Sequence, residues 1–533
     1  VSGFEITQFN AEQEAAVNAI DGDIVVIAGP GSGKTSVMAR RFKNMLTRGI
    51  PMNQILNLTF TSAGAETMVE RAGLLGCEKV FRTFHSYALD LVKRERAFMP
   101  FALTPEVIPI GQDFQLLKDL LKQYPVISSF RALKDKLSEW KRSNVEPEQA
   151  IEDSYRAQTE EYYYAMAYRD YEKKCREQGW LDFDSLMKET VKLLETNDEV
   201  RARNKIKYIG VDECQDTDVI QFKLLQLLYG GNIYCVGDSN QLIYEWRSAQ
   251  PGNLENFSKL FPNSKTLFLG QNYRSTKKIV EFIKAITPVD NGLASHMCSE
   301  REEGTRPTFV GYSDPLQETA QVLKQITDID NTAVIARTNR YVLDFQKACL
   351  ARGIKSVVAG RKNIWEQTEV AHLLKLARGY SYQARPAHTV LKDLIEQNNL
   401  TWLYRNSGSP NEKDPTENLN DFVKMSAKRG SLAEFLEWLR KLTYGSKGGR
   451  YKKEPVLTLT TVHQAKGREW KNVFVIGCSQ GMMPHKDGEL LEERRIFFVA
   501  CSRAADRLQI SYTGAPSMFL EKFEEEIVEY EPS

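Results

Sequence analysis

The chain has 533 residues, room for three or four compact domains, and its 42% hydrophobic and 26% charged content is that of a globular protein. Lys+Arg of 71 against Asp+Glu of 70 leave a net charge of +1, which neither demands nor excludes nucleic acid, because a basic groove fits inside a neutral total. No apolar run approaches the ~20 residues of a membrane span. VSGFEITQFN lacks the charged start and apolar stretch of a signal peptide. The eight cysteines show neither C-x-x-C spacing nor His partners, so reduced thiols in an intracellular, cytoplasmic protein are expected.

Taken in chain order, the first predicted element is a short buried strand, Ile24 to Ile27. It is followed by GPGSGKT and then by a helical pattern with Met38, Phe42 and Met45 on one face. This is G-x-x-x-x-G-K-[ST] in its required setting, strand before and helix after. Gly29, Gly31, Ser32 and Gly33 let backbone N–H groups curl around phosphate oxygens, with the positive end of the helix behind them. Lys34 is expected to reach the β- and γ-phosphates and Thr35 to coordinate Mg²⁺. KYIGVDECQD, Lys207–Asp216, is a β-rich run ending in Asp212 and Glu213. One carboxylate can hold the Mg²⁺ shell, and the next can orient or deprotonate water. Together the two stretches predict a nucleoside triphosphatase. GDSNQLIYEWRSA, Gly237–Ala249, is polar at its front and aromatic at its back. Beyond it, Arg274 in LGQNYRST and Arg503 in EERRIFFVACSRAADRL are both candidates for the positive charge that phosphoryl transfer needs.

The order NAEQEAAV, AGPGSGKT, LTFTSAGAETM, FRTFHSYA, GVDECQDTD, VGDSNQLIYEWRSA, LGQNYRST, TAVIARTNR, TLTTVHQAKGREW, EERRIFFVACSRA resembles the superfamily 1 DNA helicases of the UvrD/Rep/PcrA type, from about Phe9 to about Phe519. The resemblance implies an α/β fold of two RecA-like P-loop motor domains with parallel sheets that clamp ATP between them. Each motor carries a mainly helical inserted accessory domain. The first motor is expected at 1–91 and 180–265 with insertion 92–179, and the second at 266–378 and 454–533 with insertion 379–453. By resemblance, Gln13 reads the adenine edge, Tyr273 stacks on adenine and Glu469 binds ribose. Lys34, Thr35 and Asp212 hold phosphates and Mg²⁺, Glu213 activates water, Gln241 senses the γ-phosphate, and Arg274 and Arg503 act as fingers. Phe60, Thr61, His85, Tyr244, Trp246, Arg247 and His463 match strand-contacting positions. The alternative for Phe60 is a core ring at a strand end, and for His463 a cap or core residue.

Three departures from the family pattern stand out. Ser36 follows GKT where an Arg usually covers the second face of the base, leaving Arg40 or Arg41 as candidate replacements. The second insertion is about half of the ~150 residues that a full domain takes. Its basic end, Arg440 to Lys453, reads as a supple hinge, with a grip on duplex phosphates as the alternative. In LQISYTGAPSMFLEKF only Gly514 and Ala515 separate strand from segment, so the duplex-splitting hairpin is expected to be missing. No nuclease domain is expected after the last motif, so a nuclease would be a separate partner. The first functional reading is an ATP- and Mg²⁺-dependent helicase moving 3′→5′ on single-stranded DNA and acting at single/double-strand junctions. It would be nucleoid-associated, monomeric or weakly self-associating, with replication or repair proteins as candidate partners; repair, replication, plasmid or phage replication and defence systems all use such motors. The second is a translocase or sensor ATPase that strips proteins from strands or serves a nuclease without strong unwinding.

Overall fold

The computed structural model describes residues 9–99, 103–109, 111–127, 129–155, 160–244, 252–254, 256–360, 362–380, 385–404, 415–443 and 455–529. Trp246, Arg247 and most of the basic stretch ending at Lys453 lie outside them. The chain divides into two units, Val1–Tyr273 with Val289–Cys298, and Arg274–Pro288 with Ser299–Ser533.

The strands of the first unit are β1 (Ile24–Ala28), β2 (Ile55–Thr59), β3 (Phe81–Thr83), β4 (Glu106–Val107), β5 (Trp180–Leu181), β6 (Ile206–Val211), β7 (Tyr229–Gly237) and β8 (Lys265–Leu269). Six of them form one sheet in the order β3-β2-β6-β7-β1-β8, every pair parallel, while β4 and β5 pair separately. All five residues of β1 are buried, as expected for an apolar strand covered on both faces. The pleat sorts its side chains: Ile24 and Val26 join Met38, Phe42, Tyr208 and Tyr234, whereas Val25 joins Leu58, Leu186, Ile209 and Leu225. Between β3 and β6 the chain leaves to build helices Gln112–Gln123, Phe130–Arg142, Pro147–Tyr155 and Glu160–Gln178, which have their own core around Leu120, Leu137, Trp140 and Tyr168. Lys141, 1% exposed, fastens this insertion to the helix that follows. Its ammonium lies 2.7 Å from Glu172 and 2.6 Å from Asp182, the residue that caps helix Phe183–Thr196.

The second unit contains β9 (Thr308–Tyr312), β10 (Thr332–Ala336), β11 (Ser356–Val358), β12 (Leu457–Thr461), β13 (Trp470–Ile476), β14 (Ala504–Thr513) and β15 (Ile527–Glu529). They form a parallel sheet ordered β11-β12-β10-β13-β14-β9-β15. Val334, Ala336, Phe345, Leu459, Phe474 and Ile476 pack on one face. Its insertion lies between β11 and β12. Helices Thr368–Arg378, Ala387–Gln397, Pro415–Ser426 and Leu432–Thr443 share a core that includes Leu373, Leu391, Phe422 and Phe435. Parallel α/β sheets with helical insertions are what the sequence leads one to expect of RecA-like motors. Within the described segment 504–529, β14 runs through Gly514 straight into a segment bonded back onto residues 478–480. Gln480 N–H donates to the Ala515 carbonyl at 3.1 Å and Ser517 N–H to the Cys478 carbonyl at 2.9 Å, so no hairpin intervenes. No helix among the described residues is long and apolar enough to cross a membrane.

Candidate functional site

In the first unit the candidate residues collect where parallel strands end and loops begin, the usual place for ligands in such sheets. β1 ends at Ala28, and Gly29–Gly33 lead into helix Lys34–Thr47. Gly33, at φ +83°, supplies the left-handed turn before the helix, a conformation that costs a side chain energy. The Lys34 ammonium rests on the loop, donating to the carbonyls of Ala28 (3.2 Å) and Gly29 (3.3 Å), and Thr35 sits beside it in the first helical turn.

Gln13 belongs to a capping box with Asn10 at the start of helix Ala11–Asn18, which fixes its side chain. From there its amide donates to the Ser32 carbonyl at 2.9 Å, and its oxygen accepts the Tyr273 hydroxyl at 3.1 Å. Tyr273 N–H donates to the Gly31 carbonyl at 2.9 Å. The two expected base-reading residues are therefore tied to the phosphate loop and to each other.

Asp212 and Glu213 follow β6. Asp212 is 5% exposed, and its Oδ1 is buried without a hydrogen-bond partner. Burial, reinforced by Glu213 alongside, pushes its carboxyl up to about 7 against the pull of Lys34 and Arg71. Glu213 has φ +50°, uncommon for a residue with a side chain. Its carboxylate accepts from Gln215 Nε2 at 2.6 Å, and Gln215 Oε1 accepts the Asp238 N–H at 3.0 Å. Asp238, fully buried and with its carboxyl raised by that burial, accepts from Gln241 Nε2 at 2.7 Å. Three positions beyond Gln241, the Tyr244 ring stacks on Phe60 at 5.6 Å and 23°. Phe60 is partly buried. The Thr61 hydroxyl caps helix Ser62–Ala72 by accepting the Gly64 N–H at 3.0 Å. Burial lowers the titration point of His85, whose ring meets Phe183 edge-on at 5.5 Å.

The second unit gathers Arg274, Glu469 and Arg503. Arg274 Nε donates to Glu469 Oε2 at 2.6 Å, and its Nη1 donates to the Ser502 carbonyl at 2.8 Å. Arg503 is 1% exposed, its guanidinium donating to the Val499 carbonyl at 2.9 Å and to Ser502 Oγ at 2.7 Å. His463 stands six residues before Glu469, on the short helix Val462–Ala465 after β12.

Several residues of this neighbourhood have roles that sequence spacing does not assign. Arg41 cannot stand in for the missing Arg at Ser36. It is a core strut, donating to the Ala19 and Ile20 carbonyls at 3.0 and 2.9 Å over the Tyr234 ring, with burial lowering its titration point to about 10. The cation that meets Ser36 is Arg71, whose Nη1 donates to Ser36 Oγ at 2.7 Å. Gln215, Asp238, Arg71 and the exposed ring of Phe183 owe their places to tertiary contacts, and no spacing rule marks them.

The family of UvrD/REP helicase N-terminal domains matches residues 9–262, and that of UvrD-like helicase C-terminal domains matches 267–385 and 374–515. The chain is 26% identical to the ATP-dependent DNA helicase PcrA of Bacillus subtilis, over 97% of this chain and 84% of that one. It is 24% identical to the proteins of the same name from Staphylococcus aureus and Staphylococcus epidermidis, each over 98% of this chain and 87% of the relative.

Proposed function

The chain belongs to the UvrD/Rep helicase family, and from that premise we propose that it is an ATP-driven DNA helicase moving 3′→5′ along single-stranded DNA toward duplex junctions. The observation that carries this reading is one hydrogen-bonded stretch in the first unit. Hydrogen bonds lead from Glu213 after β6 through Gln215 and Asp238 to Gln241, and three residues further along the chain stands Tyr244, stacked on Phe60.

In the proposed division of work, Gln13 and Tyr273 hold the base, and Lys34 exchanges its two loop carbonyls for phosphate oxygens. Asp212 and Thr35 fit a Mg²⁺ ion. Asp212 offers a buried, unpartnered oxygen, and one carboxylate with a hydroxyl suits an ion taking most of its shell from phosphates and water. Bound there, it would neutralise charge on the β- and γ-oxygens. Glu213 accepts the proton of the attacking water, Gln241 senses the γ-phosphate, and Arg274 and Arg503 supply transition-state charge. Phe60 and Tyr244 stack on bases without regard to sequence.

The test offers the protein a duplex with a 3′ tail, and separately a single strand carrying a displaceable protein block, with ATP and Mg²⁺. Strand separation that is faster from a 3′ than a 5′ tail is expected. Clearance of the block with no separation of the duplex would sink the helicase reading and leave a translocase.

A further inference from the structure

Gln215 is 2% exposed, and its amide joins the two stretches that carry Glu213 and Gln241. Which end of the amide faces which neighbour follows from chemistry. A backbone N–H can only donate, so the 3.0 Å contact from Asp238 N–H fixes Gln215 Oε1 on that side. The NH₂ end then faces Glu213, where a carboxylate can only accept, and the 2.6 Å bond completes the fit. Asp238 continues the chain. Its Oδ1 accepts the Asn240 N–H at 3.0 Å, and its Oδ2 accepts the Gln241 amide at 2.7 Å.

Two backbone features adapt the site to this amide. A Cβ at Gly237 would come within 2.4 Å of Gln215 Oε1, its nearest contact, and within 2.9 Å of Leu254 Cδ1, so the amide keeps this position only beside a bare α-carbon. Glu213 is held at φ +50°, a strained conformation for a residue with a side chain that persists only where surroundings enforce it.

We propose that Gln215 is a positioning residue for hydrolysis. It holds the Glu213 carboxylate through one amide hydrogen bond, and through Asp238 it makes the placement of Glu213 depend on that of Gln241. A change sensed at Gln241 thereby reaches the water-activating group without passing through the nucleotide. The proposal rests on the roles proposed above for Glu213 and Gln241.

The test uses the full chain, with Gln215→Met, which keeps length and removes both hydrogen bonds, and Gly237→Ala, which displaces the amide without changing it. DNA-stimulated ATP turnover, equilibrium binding of a fluorescent ATP analogue and thermal midpoints are measured together. Both variants are expected to lose kcat on the order of 10²-fold, the cost of a misplaced reacting group, with KM and analogue affinity unchanged. Normal kcat in either folded variant, or a loss carried by KM, overturns the proposal. If one variant fails to fold the other decides, and if both fail Gln215 is structural and the proposal falls. Glu213→Gln separates the two layers. Should it turn over normally, the reading of Glu213 itself is wrong; should it be inactive while Gln215→Met is normal, only the role of Gln215 is lost.

Discussion

Asp212 of the first unit and Arg274 of the second carry opposite charges, and the fold treats them in opposite ways. Asp212 is buried with one oxygen unmet and its carboxyl lifted to about 7, while the neighbouring Lys34 rests on two neutral carbonyls. Arg274 is met on two nitrogens inside its own unit, by Glu469 and the Ser502 carbonyl, and Arg503 is buried among carbonyl and hydroxyl oxygens. The first arrangement stores unfavourable energy that a cation and phosphates would relieve. The second stores none, so any anion recruiting Arg274 has to outbid Glu469. One half of the machinery is defined by what it lacks, and the other by what it must give up.

The largest effect should come from the satisfied side. Arg274→Ala is expected to cut DNA-stimulated ATP turnover on the order of 10³-fold or more. Arg274→Lys should not restore it, because a compact ammonium lacks the planar fork that meets an anion through two nitrogens at once; a loss below tenfold in the Ala variant would break the contrast. Asp212→Asn comes next. It should lower turnover on the order of 10²-fold or more, the scale of losing a group that acts on the reacting centre. The nucleotide-free protein should nevertheless melt higher, by roughly 2–4 °C, what about 1 kcal/mol is worth in a domain of this size. A lower melting point would show that the carboxylate is structurally satisfied after all.

Tyr244→Ala should weaken single-strand binding by about 1–3 kcal/mol, equally on pyrimidine and purine oligonucleotides, as read by fluorescence anisotropy. Dependence on base identity would indicate hydrogen-bond readout in place of stacking. The smallest effect belongs to Asp218, whose side chain caps helix Val219–Leu228 by accepting the Gln221 N–H at 2.8 Å. Burial lifts its carboxyl to about 7, so near pH 5–6 the folded chain keeps a proton that the unfolded chain has lost. Its contribution to stability therefore falls as pH rises from about 4 to about 7 and is level above. Asp218→Asn keeps the cap and should flatten that part of the thermal midpoint against pH, with turnover unchanged. An unaltered slope would assign the pH dependence elsewhere.

The parts legible in the sequence are those whose chemistry is written in adjacent residues. GPGSGKT is a loop that binds through its own backbone, and DE follows an apolar strand, so both could be read without tertiary knowledge. The alternation of Ile24, Val25 and Val26 between two cores is likewise implicit in a two-residue period. Arg41 stands near the phosphate loop in sequence, yet a helical turn points it at Tyr234. Arg71, far along the chain, reaches Ser36 only because helix Ser62–Ala72 lies beside helix Lys34–Thr47. Gln215 stands in VDECQD, but nothing local assigns its role, since its second partner lies 23 residues away.

The bare α-carbon at Gly237 has a consequence for how such chains can diverge. Because a methyl group there would collide with the Gln215 amide, positions 215 and 237 are not free to drift separately. A relative with a side chain at the second position should carry something shorter than glutamine at the first, and the pair should change together or not at all. An aligned set of natural sequences would then hold, in two columns, a record of which lineages kept the strut and which found another way to brace the glutamate.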